Sequence, residues 1–273
     1  MNWWEAALLG LIQGLTEFLP ISSSGHLVLG KYLLGLTDAA ADNVTFEVFV
    51  HFGTALSILT VYKDRILKII TGTFSAIFKP AQLVQSYHQN ESFRTALYIL
   101  ITLVPTGLTY ILLKDFFEAK FNDPRFVCGM LFVTGTLLLL TLLRKNPTGK
   151  MTPLRALVTG IAQSAAMIPG ISRSGSTICA ALYQNVSPQR AADFSFLMLL
   201  PVVLGATLIQ GLDILEHGFT LGWGPLLIGT VVAYVSGIAA IKLMLDFVRR
   251  GNLQYFAYYC FAAGALGLWL IAA

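Results

Sequence analysis

The feature that most constrains this chain is a series of apolar segments, each long enough to cross a lipid bilayer. An α-helix rises about 1.5 Å per residue, so about 20 apolar residues span the hydrocarbon core. Segments of this length lie at residues 44–62, 94–113, 126–143, 190–212, 222–245 and 253–272. They predict an all-α polytopic membrane protein with six transmembrane helices.

The composition supports a lipid environment. Of the 273 residues, 56% are hydrophobic and only 12% are charged, whereas soluble domains carry about 25% charged residues. The net charge of +4 is modest and Lys and Arg lie mainly in loops, which favours orientation in a membrane over nucleic-acid binding. The first apolar stretch lacks a basic start and a small-residue cleavage site, so no cleavable signal peptide is expected. Cys128, Cys179 and Cys260 have neither disulfide nor metal-ligand spacing and are interpreted as packing residues.

Two further apolar regions are interrupted by short polar motifs. Residues 3–36 contain the first break, residues 20–25 with the sequence PISSSG, and residues 152–185 contain the second break, residues 169–175 with the sequence PGISRSG. The stretches on either side of each break are too short for two full crossings, so each region predicts a re-entrant helical hairpin. Non-helical backbone at this depth is tolerated only where it lines a protein-enclosed or watery cavity.

The two hairpins resemble each other, which indicates an internal repeat. A shift of 150 residues aligns Gly10 with Gly160, Gln13 with Gln163, Ile21 with Ile171, Ser22 with Ser172, Ser24 with Ser174 and Gly25 with Gly175. The single membrane domain, 1–273, then divides into repeats 1–143 and 144–273, each with one hairpin and three spans. Because three crossings are an odd number, the second repeat is expected to be inverted, with a site near the midplane where the breaks meet.

The distribution of charge predicts the orientation. One side receives the 63–93 connection, which is expected to contain an interfacial helix, and the 144–155 loop with Arg190, Arg249 and Arg250. The other side receives Lys31, Lys114, Lys120, Arg125, Asp38, Asp42, Asp213 and Glu216. The first side is the more basic, so it should be cytoplasmic, and both termini and the mouth of the first hairpin should face outward.

The first break carries polar residues that suggest chemistry. Gln13 and Glu17 are four residues apart and share one helix face, and a carboxylate in a membrane segment is costly unless it has a role. Glu17 is therefore predicted to be a metal ligand or a general base, the alternatives being a carboxylate near the membrane surface or one paired within the fold. Ser22, Ser23 and Ser24 include at least one helix cap, and with His26 they form the components of an activated nucleophile.

The second break carries the components of an anion site. Arg173 combines a guanidinium with the hydroxyls of Ser172, Ser174 and Thr177 and with the N–H groups that begin a helix near Gly175. This combination suits phosphate. The alternative is that Arg173 pairs with Glu17 only to hold the repeats together.

Two other pairs carry weaker signals. Glu47 and His51 share a face of the first span, where they either line the cavity or bridge helices. Arg190 and Asp193 are three residues apart, and a structural ion pair is the favoured interpretation.

At these motifs the chain resembles the bacterial undecaprenyl-pyrophosphate phosphatase family, known for bacitracin resistance. The resemblance covers essentially the whole chain and is carried by QGLTEFLPISSSGH at 13–26 and PGISRSGST at 169–177, supported by RAADFSF at 190–196. It implies removal of the terminal phosphate from a C55 isoprenyl pyrophosphate in the bacterial inner membrane. Together with the orientation predicted from charge, the active site is expected to open to the extracytoplasmic side. The product is the monophosphate carrier of peptidoglycan precursors.

The resemblance also implies residue roles. Gln13 and Glu17 match the family's E/Q-xxx-E motif, Ser23 and His26 match its catalytic serine and histidine, and its phosphate-binding turn matches Ser172, Arg173 and Thr177. At position 51 the chain has His where relatives often carry Gln.

The predicted reaction uses Arg173 to neutralise phosphoryl charge and a divalent cation, Mg²⁺ or Ca²⁺, bridging Glu17 to the phosphates. Ser23 is the favoured nucleophile, with Glu17 and His26 assisting, although His26 or water could attack instead. The main alternative function is a lipid-phosphate flippase or secondary transporter, since inverted repeats with broken helices are also a transporter arrangement. The oligomeric state stays open, with a homodimer as one possibility.

Overall fold

The computed structural model describes residues 1–36, 40–121, 123–144, 147–217 and 221–272. Asp38, used in the orientation argument, lies outside these ranges, as do residues 145–146 of the 144–155 loop. Within them the regular structure is helical, and β-pairing is limited to one isolated bridge between Gly149 and Val186. The helices are α1 Trp3–Phe18, α2 Ser23–Leu33, α3 Ala40–Val61, α4 Lys63–Ile77, α5 Leu83–Gln89, α6 Glu91–Phe121, α7 Pro124–Leu140, α8 Pro153–Ala165, α9 Arg173–Tyr183, α10 Pro188–His217, α11 Trp223–Arg250 and α12 Gln254–Ala272.

The six predicted spans are confirmed as helices long and apolar enough to cross a membrane. They are Val44–Val61, Glu91–Phe117, Pro124–Leu143, Pro188–Leu212, Trp223–Arg250 and Gln254–Ala272. The helix expected in the 63–93 connection is α4, while its position on a membrane surface stays a prediction. The largest difference in length is in α6, which continues past residue 113 to Phe121 with a kink at Leu113.

Local sequence signals explain where the chain breaks. α1 ends at Phe18 because Leu19, which precedes Pro20, is extended with φ −69° and ψ 143°. α2 begins at Ser23, and the Oγ of its cap Ser22 accepts a hydrogen bond from the backbone N–H of Gly25 at 3.2 Å.

The second break repeats this cap. The Oγ of Ser172 accepts from the backbone N–H of Gly175 at 3.1 Å, so α9 begins as α2 does, at the position 150 residues later. α1 has 16 residues, α8 has 13, and α2 and α9 have 11 each. All four are shorter than the roughly 20 residues that a crossing needs.

The short helices pack closely on long ones through small residues. A Cβ atom added at Gly10 of α1 would lie 2.5 Å from the carbonyl oxygen of Gly229 in α11, and one at Gly160 of α8 would lie 2.7 Å from the Cα of Thr102 in α6. Only glycine permits these backbones to approach so closely. α1 is thereby held against α11, and α8 against α6.

An apolar core lies where α1, α3, α9, α10 and α11 meet. Phe18, Ile58, Ile178, Phe196 and Ile241 are fully buried in it, and the rings of Phe18 and Phe196 meet edge to face with centroids 5.5 Å apart. Phe18 directly follows Glu17, so this core fixes the end of α1 that carries the carboxylate.

Candidate functional site

The buried carboxylate of Glu17 is the centre of a polar cluster. Its Oε2 accepts hydrogen bonds from the Oγ of Ser23 at 2.7 Å and from the Nε2 of Gln13 at 3.0 Å. Its Oε1 accepts from the Nη2 of Arg173 at 2.9 Å. Glu17 is only 7% exposed, and a buried carboxylate needs such a set of donors and a cation to offset its desolvation.

Arg173 joins the two breaks across 156 residues of sequence. Besides its ion pair with Glu17, it donates from Nη1 to the carbonyl oxygen of Ser195 at 3.3 Å. Its buried Nε–H has no hydrogen-bond partner among the described residues. The guanidinium therefore keeps donor capacity that the surrounding protein does not use.

A cavity of about 290 Å³ opens beside this cluster. Glu17, Ser23, Ser24 and Arg173 line it, together with apolar side chains of α3 and α10. A mainly apolar cavity with a few convergent polar groups is typical of a site for a small ligand or a lipid head group.

The other residues predicted to bind substrate are buried and are not among those that line the cavity. Ser174 donates from its Oγ to the carbonyl oxygen of Leu19 at 3.1 Å, linking the second break to the first. Thr177 bonds through its Oγ1 to the Oγ of Ser195 at 2.6 Å, which holds α9 against α10. The remaining members of this group are Gln13, Ser22, Ser172 and Gly175. Their predicted contact with substrate stays a prediction.

His26 is not among the residues that line the Glu17 cavity. Its ring lies against Tyr259 of α12, and both residues line a second, more apolar cavity of about 460 Å³. The sequence prediction grouped His26 with Glu17 and Ser23, whereas the structure directs its ring to a different surface of α2.

Glu47 and His51, which the sequence left undecided, both line the Glu17 cavity. The Nε2 of His51 is 3.9 Å from the Oε2 of Glu17, and its Nδ1 lies 2.7 Å from the carbonyl oxygen of Glu47. Glu47 also forms an ion pair with Lys31, at the end of α2. The four-residue spacing was the signal available, but only the packing of α3 against α10 decides that this helix face is turned to the cavity.

The predicted Arg190–Asp193 ion pair is wrong. Asp193 pairs with Arg65 at 2.6 Å and accepts from the hydroxyl of Tyr62 at 2.9 Å, while the Nη1 of Arg190 donates to the carbonyl oxygen of Gly149 at 3.5 Å. The buried Asp193 thus pairs with Arg65 at the start of α4 and not with Arg190, one turn away in its own helix. Sequence reasoning also missed Ser195, two residues further on, which contacts both Arg173 and Thr177.

Fold and site together define a class: a multi-pass helical membrane protein in which a carboxylate, a serine and an arginine from two broken-helix regions meet at a cavity. The family model for the bacitracin resistance protein BacA matches residues 6–266. The chain therefore belongs to the BacA family.

Named relatives match over nearly their whole lengths. An undecaprenyl-diphosphatase of Salinibacter ruber is 59% identical over 271 residues, covering 99% of this chain and 100% of that protein. Undecaprenyl-diphosphatases of Halothermothrix orenii and Bacteroides fragilis are 42% and 37% identical, each over 97% of this chain and 97% of the relative.

Proposed function

We propose that this protein is an undecaprenyl-diphosphatase. It removes the terminal phosphate of undecaprenyl pyrophosphate and regenerates the monophosphate lipid carrier for peptidoglycan synthesis, as its relatives' names and family membership support. The observation that carries the proposal is the contact of the Glu17 carboxylate with both Ser23 and Arg173 at the cavity. This arrangement brings together a carboxylate that can accept a proton, a hydroxyl that can attack, and a guanidinium that can bind phosphate.

The reaction proposed for these residues has two stages. The Oγ of Ser23 attacks the terminal phosphorus while its proton passes to Glu17, 2.7 Å away. The bond from this phosphorus to the bridging oxygen breaks, and the lipid monophosphate leaves. Water then cleaves the phosphoserine and releases inorganic phosphate. A serine hydroxyl is a weak nucleophile unless a base lies beside it, and Glu17 is the base in contact with Ser23.

Arg173 is the proposed clamp for the phosphoryl group. Its planar guanidinium presents several donors: one is bound to Glu17, one is bound to Ser195, and the Nε–H has no partner within the described part of the chain. The negative charge that spreads over the phosphoryl oxygens in the transition state is stabilised by such preorganised donors.

A divalent cation, Mg²⁺ or Ca²⁺, fits the donor set. Glu17 and Glu47 both line the cavity, and Mg²⁺ in phosphoryl-transfer sites is held by one or two carboxylates together with substrate phosphates and water. Among the described residues no group of three or more His, Cys, Asp or Glu converges, so substrate oxygens would have to complete the coordination. When bound, the cation would neutralise phosphate charge next to Arg173.

For the architecture, we infer two re-entrant hairpins, α1–α2 and α8–α9, related by an inverted repeat. The pattern of contacts supports this: α1 packs on α11 of the second half, and α8 packs on α6 of the first half. The two contacts are equivalent if a two-fold axis relates the halves, because the axis would place α1 on α8 and α6 on α11. The break segments also touch, because the backbone N–H of Gly170 donates to the Oγ of Ser24 at 3.5 Å.

We infer further that the cavity opens to the extracytoplasmic side of the bacterial inner membrane. Phe121, Gln210 and Glu47 line it and come from the helix ends opposite to the basic 63–93 and 144–155 segments. Cysteines introduced at Glu216 and Thr148, both exposed, test this with a membrane-impermeant thiol reagent on intact cells. Labelling at position 216 but not at 148 is expected; the reverse pattern would refute the orientation.

The deciding experiment for the function is phosphate release by the purified protein from a long-chain isoprenyl pyrophosphate. Release that is lost in Ser23→Ala identifies a phosphatase. The alternative function, a lipid-phosphate flippase or transporter, predicts binding and transbilayer movement of the lipid without release of phosphate.

A further inference from the structure

The imidazole of His26 bridges two groups on either side of it. Its Nδ1 lies 2.8 Å from the carbonyl oxygen of Ser22, and its Nε2 lies 2.8 Å from the hydroxyl of Tyr259. Because a carbonyl only accepts, Nδ1 carries the proton, and the Nε2 of the neutral ring accepts from the Tyr259 hydroxyl. The two rings are nearly parallel, with centroids 5.5 Å apart and an angle of 12° between planes.

The backbone that His26 contacts is in an unfavourable conformation. Ser22 has φ 70° and ψ 99°, and in the described part of the chain only Asn185 shares a positive φ among residues other than glycine. This region is disfavoured for a residue with a Cβ atom, so it persists only where the surroundings hold it. The carbonyl oxygen of Ser22 accepts both the ring Nδ1–H and the backbone N–H of His26, the latter at 3.2 Å.

The second break lacks this arrangement. At the equivalent position Ser172 has φ −71° and ψ 120°, an ordinary extended conformation, and the residue four positions later is Ser176. The unusual backbone and the imidazole that contacts it therefore occur together, and they occur only in the break that supplies Ser23.

Ser22 immediately precedes Ser23, whose Oγ must stay within hydrogen-bond distance of Glu17. We propose that His26 and Tyr259 are positioning residues that fix the peptide of Ser22 and thereby hold Ser23 against Glu17, without themselves touching the substrate. The inference deepens the proposed function and rests on it. It explains why His26 faces Tyr259 and the second cavity instead of the cavity that Glu17 lines.

A conservative series at His26 separates positioning from proton transfer. Asparagine carries an Nδ2–H where the ring carries Nδ1–H, so His26→Asn can keep the bond to Ser22 but cannot exchange a proton. We expect His26→Asn to retain kcat within about 10-fold of the wild type, and His26→Leu to lose about 10²-fold through misplacement of Ser23, with KM changed little in either. Equal inactivity of the two variants would show that the ring acts chemically and would overturn the proposal.

A double-mutant cycle tests the connection through Ser22. Tyr259→Phe keeps the stacked ring and removes the hydroxyl, so kcat should fall about 5- to 10-fold, the effect of one hydrogen bond. Tyr258→Phe, at an exposed neighbouring position, is the matched control and should behave as the wild type. In a Ser22→Gly background the backbone adopts a positive φ without the penalty, so Tyr259→Phe should then lower kcat less than about 2-fold. An undiminished effect in that background would refute action through Ser22.

A measurement that needs no turnover completes the test. With Ser23→Cys as the probe, the rate of alkylation by a small thiol reagent reports whether residue 23 is held on Glu17, because the three native cysteines are buried. Adding Tyr259→Phe should raise this rate about 5-fold, from the loss of one restraining hydrogen bond, and adding Tyr258→Phe should not. Absence of phosphate release by the wild type would defeat the proposed function, whereas an unchanged alkylation rate would defeat the positioning role.

Discussion

The two breaks use equivalent backbone positions for different chemistry. Ser23 and Arg173 are the first residues of α2 and α9, lie 150 positions apart in sequence, and both line the Glu17 cavity. Glu17 is likewise equivalent to Met167, and these two also line it. A repeated backbone frame thus presents a hydroxyl and a carboxylate from one side and a guanidinium from the other. Different side chains at corresponding positions of the two breaks therefore give an asymmetric site.

The breaks also differ in length, and this decides what each can hold. α1 continues to Phe18, so Glu17 stays on a helix one turn after Gln13 and receives a hydrogen bond from it. α8 ends at Ala165, and the longer second break passes through Gly170 at φ 95°, where a Cβ would lie 2.3 Å from the carbonyl oxygen of Val127. Gln163 bonds to Thr106 of α6, and the residue four positions later, Met167, offers no carboxylate.

The comparison predicts that the largest losses of activity come from the first break. Ser23→Ala should reduce phosphate release from an isoprenyl pyrophosphate to background, because the attacking oxygen is removed. Ser24→Ala is the control, since its Oγ bonds to Ser22 and Gly170 and not to Glu17. A milder effect of Ser23→Ala than of Ser24→Ala would remove Ser23 from the role of nucleophile.

Glu17→Gln should come next, with kcat lowered by about 10²–10⁴-fold, the usual contribution of a general base. The amide keeps the shape of the side chain but cannot take a proton, and extra Mg²⁺ should restore little. Thermal unfolding in detergent checks that the variant remains folded. Substantial remaining activity would transfer the acid–base role to another carboxylate, for which Glu47 in the same cavity is the first to test.

Arg173→Lys tests the second break and should lower kcat by about 10²–10³-fold, because a point charge does not replace a planar set of donors on phosphate. Arg190→Lys is a matched control, since Arg190 donates to the carbonyl oxygen of Gly149 at the opposite helix end. Near-normal turnover by Arg173→Lys would favour the alternative role, in which Arg173 pairs with Glu17 only to hold the two repeats together.

The smallest expected effect is a loss of stability when the serine cap that both breaks share is removed. Ser22→Ala and Ser172→Ala each remove a cap on a backbone N–H three residues later, at 3.2 and 3.1 Å. Each should lower the free energy of unfolding by about 1 kcal/mol, measured by chemical denaturation in detergent micelles. Similar losses support equivalent caps, and a loss confined to one variant would contradict them.

Most of the secondary structure could be predicted because its causes are local. Length and apolarity located the six spans within a few residues. The prolines at 20 and 169 and the serines at 22 and 172 located the breaks, since a proline ends the preceding helix and a serine caps the next. The kink at Leu113 and the extension of α6 to Phe121 had no such local signal in the sequence.

The sequence by itself determined which polar residues need a partner or a role. They are a glutamate, an arginine and two serine clusters, all in strongly apolar segments. Only the tertiary structure decided which of them meet. In the folded chain Glu17 pairs with Arg173 across 156 residues, and Asp193 pairs with Arg65. His51 faces the cavity, whereas His26 faces Tyr259. Helical periodicity fixes the face a side chain occupies, but the neighbour on that face depends on how close-packed glycines let distant helices approach.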